Sequence, residues 1–199
     1  MKLYFASGNE HKKIEMTRLL GGIDLVLPKE ENIAFDADET GKTFIENAII
    51  KAETLYDTVK APVLADDSGL VVNALGGAPG IYTARYGEDV FKRKLSDREK
   101  YMYLLDNLKG KEDRSARFVC ALCLILSPTR RYIIQEDCIG SIALAPSGTT
   151  GFGYDPVFYI DEAKSISADL KEGEKDKYSH RGKAARIIAK LIKEEENGR

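Results

Sequence analysis

Two adjacent carboxylates, Asp66 and Asp67, follow the apolar run Val63-Leu64-Ala65 at the head of the stretch Val63 to Gly87. Like charges this close resist joint ionisation unless a cation or hydrogen-bond donors stabilise them, so the pair points to a hard metal ion or to general-base chemistry. The end of a buried strand is also where ligands gather in α/β proteins. The competing reading is a surface turn, because Asp-Asp-Ser-Gly is ordinary turn composition. A second group is Ser7-Gly8-Asn9 with Lys12. Backbone N–H groups at a helix start favour an anion and Lys12 adds charge there, which suits a phosphate; alternatively, Ser7 or Asn9 caps the helix and Lys12 is solvated. Farther on, Gly151-Phe152-Gly153-Tyr154-Asp155-Pro156 offers aromatic rings that could stack on a base, or else forms a plain Gly-rich hairpin loop. His180-Arg181 offers hydrogen-bond donors at a helix entrance, or surface capping.

The elements that must hold these residues can be read from periodicity. Lys2 to Ala6 reads as a strand, and His11 to Leu20 as a helix with Ile14, Leu19 and Leu20 on its core face. Ile23 to Leu27 resembles another strand, and Pro28 to Lys42 is polar, acidic and irregular. Thr43-Phe44-Ile45-Glu46 has capping-box spacing and starts a helix carrying Ile45, Ile49, Ala52, Leu55 and Tyr56 to about Val59. On that helix Glu46 is a cap, whereas Lys51 is either a solvated residue or a phosphate contact. Val63 to Ala65 and Leu70 to Leu75 read as two strands with the acids between them, and Gly76 to Gly80 as a tight turn. Ser96 to Glu99 is a second capping box. Arg114 to Leu126 and Arg131 to Ala145 flank Ser127-Pro128-Thr129-Arg130 as a long β-hairpin. Val157 to Ile160 is a further strand, Lys171 to Lys177 a solvated charge run, and Lys183 to about Glu196 a last helix buried through Ala185, Ile188, Ala189 and Ile192.

Composition bounds what this framework can do. With 199 residues, 43% hydrophobic and 31% charged, the chain suits one globular domain with one good core. A formal net charge of −2 and no basic patch give no general attraction to a nucleic acid. No apolar run approaches the length of a membrane span, and the start lacks the apolar segment of a signal peptide, so a soluble, cytoplasmic protein is expected. Cys120, Cys123 and Cys138 lie in strand-like surroundings. Strand alternation sends Cys120 and Cys123 to opposite faces, which argues against a metal site and for buried thiols.

In order along nearly the whole chain, several short motifs resemble those of the inosine/xanthosine triphosphate pyrophosphatases. They are Ser7-Gly8-Asn9-Glu10-His11-Lys12, Glu39-Thr40-Gly41, Thr43 to Ala48, Ala65-Asp66-Asp67-Ser68-Gly69-Leu70, Gly76 to Gly80, Gly151 to Pro156, and Ser179-His180-Arg181-Gly182. The resemblance implies an elongated, two-lobed α/β fold over residues 1–199. A central mixed β-sheet would be flanked by helices, with the active site in the cleft between the lobes. It also implies a homodimer that uses Mg²⁺ to hydrolyse non-standard purine nucleoside triphosphates to monophosphate and diphosphate. By position, Ser7, Gly8, Asn9, Glu10, His11 and Lys12 would hold the triphosphate, and Glu39 and Asp67 the metal. Asp67 would also be the candidate base for the attacking water, with Asp66 behind it. Ser68 and Lys175 would add phosphate or ribose contacts, while Phe152, Gly153, Tyr154, Asp155, His180 and Arg181 would close around the base. An Arg181 guanidinium, which donates only, would favour a 6-oxo purine over adenine. One departure is Ser147, where the family pattern leads one to expect Arg after the proline.

Two rival readings come from other classes. Asp36-Ala37-Asp38-Glu39-Thr40 imitates the D-x-D-x-T of haloacid-dehalogenase-like phosphatases, with Asp36 as a covalent nucleophile and Asp38 as its acid/base partner. Against it, Glu31-Asn32 breaks the strand that should precede Asp36. A nucleotide-binding module without turnover would leave the acidic pair idle.

Overall fold

The computed structural model describes residues 1–197. The chain begins with β1 (Lys2–Ala6), α1 (Glu10–Leu20) and β2 (Asp24–Val26), then α2 (Phe44–Val59) and β3 (Val63–Val72). Short α3 (Glu88–Phe91) and α4 (Asp97–Asn107) precede β4 (Ser115–Ser127) and β5 (Arg130–Ile142). β6 (Phe158–Ile160), β7 (Ser165–Ile166), α5 (Glu172–Tyr178) and α6 (His180–Asn197) complete it. The seven strands form one sheet in the order β2-β1-β3-β4-β5-β6-β7. β1 runs parallel to both β2 and β3, with α1 and α2 as the crossovers, whereas β6 runs antiparallel to β5 and β7. The sheet is therefore mixed and the fold α/β.

The chain forms two compact units. One comprises residues 1–67, 120–136 and 181–199, and the other residues 68–119 and 137–180. The first has a core of Leu3, Phe5, Met16, Leu20, Leu64, Leu122 and Leu124 with Ala184, Ala185, Ile188 and Ile192 of α6. The second is built around Leu70, Leu104, Leu108, Ile142, Tyr154, Val157 and Phe158.

Local signals explain the helices. In α2 Thr43 Oγ1 accepts from Glu46 N–H and the Glu46 carboxylate accepts from Thr43 N–H, which satisfies two otherwise orphaned donors. The same reciprocal cap, Ser96 with Glu99, starts α4. Phe44, Ala48, Lys51, Ala52 and Leu55 form the buried stripe of α2 at helical spacing, with a charge inside it.

Several expectations change. Val63 to Leu75 is not two strands about a turn: β3 runs unbroken from Val63 to Val72, and Asp66 and Asp67 lie within it. β3 lies between β1 and β4 in the sheet and is buried from Val63 to Asp67, which overrides the turn composition of Ser68-Gly69. On α1 the buried face is Glu15, Met16 and Leu20, while Ile14 is exposed. Lys171 to Lys177 is not a solvated loop, since α5 covers most of it and buries Lys175 and Asp176. α6 starts at His180 rather than Lys183, so His180 and Arg181 belong to its first turn.

Candidate functional site

Parallel register sets the first group. Ala6 at the end of β1 lies beside Ala65 of β3, so the Ser7–Asn9 turn leaves the sheet next to the residue preceding the two acids. Asn9 caps α1, with Oδ1 accepting from Lys12 N–H at 3.2 Å, and its own N–H donates to Ser7 Oγ at 3.1 Å. The capping reading therefore holds for Asn9, but the solvated reading fails for Lys12, whose Nζ donates to Asp66 Oδ1 at 2.6 Å. Gly8 faces open space, with nothing within 4 Å of where a Cβ would stand. Glu10 and His11 are exposed, and Glu10 pairs with Lys29.

Successive residues of a strand point to opposite faces, and that alternation separates the two carboxylates. Asp66, 1% exposed, meets Lys12 of α1 and Arg181 of α6, with Arg181 Nε donating to Oδ2 at 2.7 Å. Arg181 Nη1 donates to Glu15 Oε2 at 2.6 Å, and Cys120 Sγ lies 3.6 Å from Asp66 Oδ2. Burial alone would raise the Asp66 pKa, but Arg181 and Lys12 outweigh it and hold the carboxyl well below its usual range. Asp66 is thus held as an anion near neutral pH.

Asp67 is different. Lys51 Nζ of α2 donates to its Oδ1 at 2.6 Å and lies 3.1 Å from Glu39 Oε1, so one ammonium joins two carboxylates. Asp67 Oδ2 is buried without any hydrogen-bond partner. Burial, with some help from Glu39, pushes the Asp67 pKa upward against the pull of Lys51 and Lys12. A buried carboxylate oxygen left bare is costly unless a cation or water meets it, and a raised pKa suits a proton acceptor. Among the described residues no group of three or more His, Cys, Asp or Glu side chains forms a metal cluster. Two carboxylates and a bare oxygen instead fit an ion such as Mg²⁺, which takes its other ligands from water and substrate phosphate.

The second unit holds the loop expected to face the base. Asp155, 4% exposed, accepts from Phe152 N–H at 2.9 Å, Ser167 Oγ at 2.7 Å and Lys175 Nζ at 2.7 Å. Its carboxylate is therefore a latch on the loop rather than a group presented to a ligand. Gly151, at φ +79°, is required here because a Cβ would stand 2.1 Å from Asp155 Oδ2. Gly153 N–H donates to Asp97 Oδ2 at 2.8 Å. Tyr154 does not line an open surface either: it is a core residue whose hydroxyl donates to Thr83 O at 3.0 Å, and burial raises its pKa. Phe152 is half-buried, with Lys175 Nζ 5.6 Å from its ring centroid. His180 stacks on Phe118 with centroids 4.9 Å apart, and Ser68 is half-buried on β3 directly after Asp67. Ser147 donates to Asp169.

Asp36 is exposed in a segment without regular structure, and no strand delivers it, so the geometry a dehalogenase-like nucleophile needs is missing. Arg181, expected at the base, instead has two guanidinium nitrogens bonded to Asp66 and Glu15 in the first unit. Sequence reading passed over Glu15 and Ser167 and left Lys51 undecided. For Lys51 a signal existed, since it falls on the apolar stripe of α2, where a charge must find a partner.

Comparison with known proteins covers nearly the whole chain. A family model described as the Ham1 family matches residues 3–191. A dITP/XTP pyrophosphatase of Treponema denticola is 51% identical over 193 residues, covering 97% of this chain and 99% of that protein. One of Thermus thermophilus is 42% identical over 198 residues, covering 98% and 93%. The solved structure of a HAM1 protein from Coxiella burnetii superposes with a TM-score of 0.87 at 36% identity, covering 98% of this chain and 99% of that one.

Proposed function

Because the chain belongs to the Ham1 family, we propose that it is a hydrolase of nucleoside triphosphates that cleaves non-standard purine nucleotides such as ITP, dITP and XTP to the monophosphate and diphosphate. The observation that carries the mechanism is the buried Asp67, with one oxygen held by Lys51 and the other bare.

In this reading Lys12, with the Ser7–Asn9 turn and the start of α1, binds the polyphosphate. Glu39 would hold Mg²⁺ directly and Asp67 would hold it through the attacking water, and the ion when bound would neutralise charge on the phosphate oxygens. Lys51 fixes the Asp67 carboxylate by its Oδ1. Asp67 Oδ2 then takes the proton of the attacking water, whose oxygen forms the new bond to the α-phosphorus. The bond from that phosphorus to the bridging oxygen breaks, and its electron pair leaves with diphosphate. We propose that Phe152 stacks on the base, with Ser68 adding a phosphate or ribose contact. Since Arg181 is held by Asp66 and Glu15 and Lys175 by Asp155, reading of the 6-oxo group passes to His180. A ring N–H aimed at position 6 satisfies an oxo group and faces a second donor in adenine. We also propose a homodimer, for which the exposed Tyr82, Val90 and Phe91 supply apolar surface, and a cytoplasmic location; no described helix is long and apolar enough to cross a membrane.

The product distinguishes this reaction from stepwise phosphatase action. Phosphorus NMR of ITP hydrolysis, without added pyrophosphatase, is expected to show diphosphate and IMP in equal amounts. Orthophosphate with IDP would refute cleavage between the α and β phosphates. The base preference is tested by kcat/KM. ITP and XTP are expected to exceed ATP by about 10⁴, because a site built on a polar contact leaves buried groups unpaired with the wrong base. Equal values for ITP and ATP would remove the base-reading role from His180.

A further inference from the structure

We propose that Glu15 is a positioning residue for phosphate binding, acting through Arg181 and Asp66 to hold the Lys12 ammonium in place. The inference rests on the reading of Lys12 as a polyphosphate contact. Glu15 is 5% exposed on α1, one turn beyond Lys12, so its own carboxylate faces the interior rather than a ligand. Its Oε2 accepts from Arg181 Nη1 at 2.6 Å, Asp66 Oδ2 accepts from Arg181 Nε at 2.7 Å, and Asp66 Oδ1 accepts from Lys12 Nζ at 2.6 Å. Two cations and two anions thus alternate along one line of contacts, and the Asp66 carboxylate is divided between the two cations. Buried charges keep such arrangements only while each has its counter-charge. Without the Glu15 charge, Arg181 retains Asp66 as its anionic partner in this line and draws both carboxylate oxygens toward its planar fork, a geometry that favours bidentate pairing. The oxygen now holding Lys12 is then withdrawn, and Lys12 loses its fixed position although no residue touching the ligand has changed.

The test is calorimetric binding of inorganic tripolyphosphate to wild type, Glu15→Gln, Glu15→Asp, Lys12→Met and the Glu15→Gln/Lys12→Met double variant, with ITP kinetics and melting curves alongside. Gln keeps the size and one acceptor of Glu. Glu15→Gln is expected to weaken tripolyphosphate binding and raise KM for ITP about tenfold, with kcat changed by less than about threefold. Glu15→Asp, which keeps the charge, restores part of the binding. In the Lys12→Met background the Glu15→Gln effect disappears, because both act on one contact. A lowered melting temperature with unchanged tripolyphosphate binding would assign Glu15 a purely structural role and overturn the proposal, as would full additivity in the double variant. If wild type binds tripolyphosphate yet does not turn over ITP, the proposed reaction fails, while the calorimetric comparison still decides the role of Glu15.

Discussion

Asp67→Asn is expected to lower kcat/KM for ITP by about 10² to 10⁴, the range for loss of a proton-transfer group, while the protein stays folded. The side chain keeps its shape and can still accept from Lys51 through its amide oxygen, but it can no longer take up a proton or neutralise a cation. Stability should change little, because burial disfavours the charge on Asp67. Lys51 also keeps Glu39 as a counter-ion. Asp36→Asn should leave turnover near wild type, since Asp36 is exposed in an irregular segment. The measurement is steady-state kinetics on both variants with circular dichroism as the folding check. A fully active Asp67→Asn, or an inactive Asp36→Asn, would overturn the assignment.

The neighbouring substitution should act on stability as well as on phosphate binding through Lys12. Asp66→Asn removes the anion between Arg181 and Lys12, and stripping one partner from a buried ion pair typically costs about 3 to 5 kcal/mol. Urea unfolding in the presence of a chelator measures it, and a midpoint equal to wild type would show that the network carries no net stability. The pH dependence has a definite sign. The folded-state pKa of Asp66 lies below its unfolded value, so its stabilisation is fully present above the unfolded pKa of about 3.9 and is lost as pH falls through the lower folded one. The difference between wild type and Asp66→Asn should therefore be constant near neutrality and close only in acid. Adjacent residues of one strand would then affect different measurements, kcat for Asp67 and folding together with phosphate binding through Lys12 for Asp66.

What the amino-acid sequence determined by itself was local. Thr43 and Glu46 satisfy each other's backbone three residues apart, so the start of α2 was legible without the rest of the chain, and periodicity carried the reading to its end at Val59. The β4–β5 hairpin was legible for the same reason, as two apolar runs about Ser127-Pro128-Thr129-Arg130. The order of the short motifs identified the family. What only the tertiary structure decided depended on partners distant in sequence. Ser68-Gly69 reads as a turn until strands flank it, and Lys171 to Lys177 as a solvated run until Asp155 takes Lys175. Asp66 and Asp67 are alike as neighbours in sequence. They part because strand alternation turns one toward Lys12 and Arg181, the latter 115 residues away, and the other toward Lys51 and Glu39. An ionic group's role follows from which charges and how much water surround it, and in this chain those surroundings are assembled by the fold.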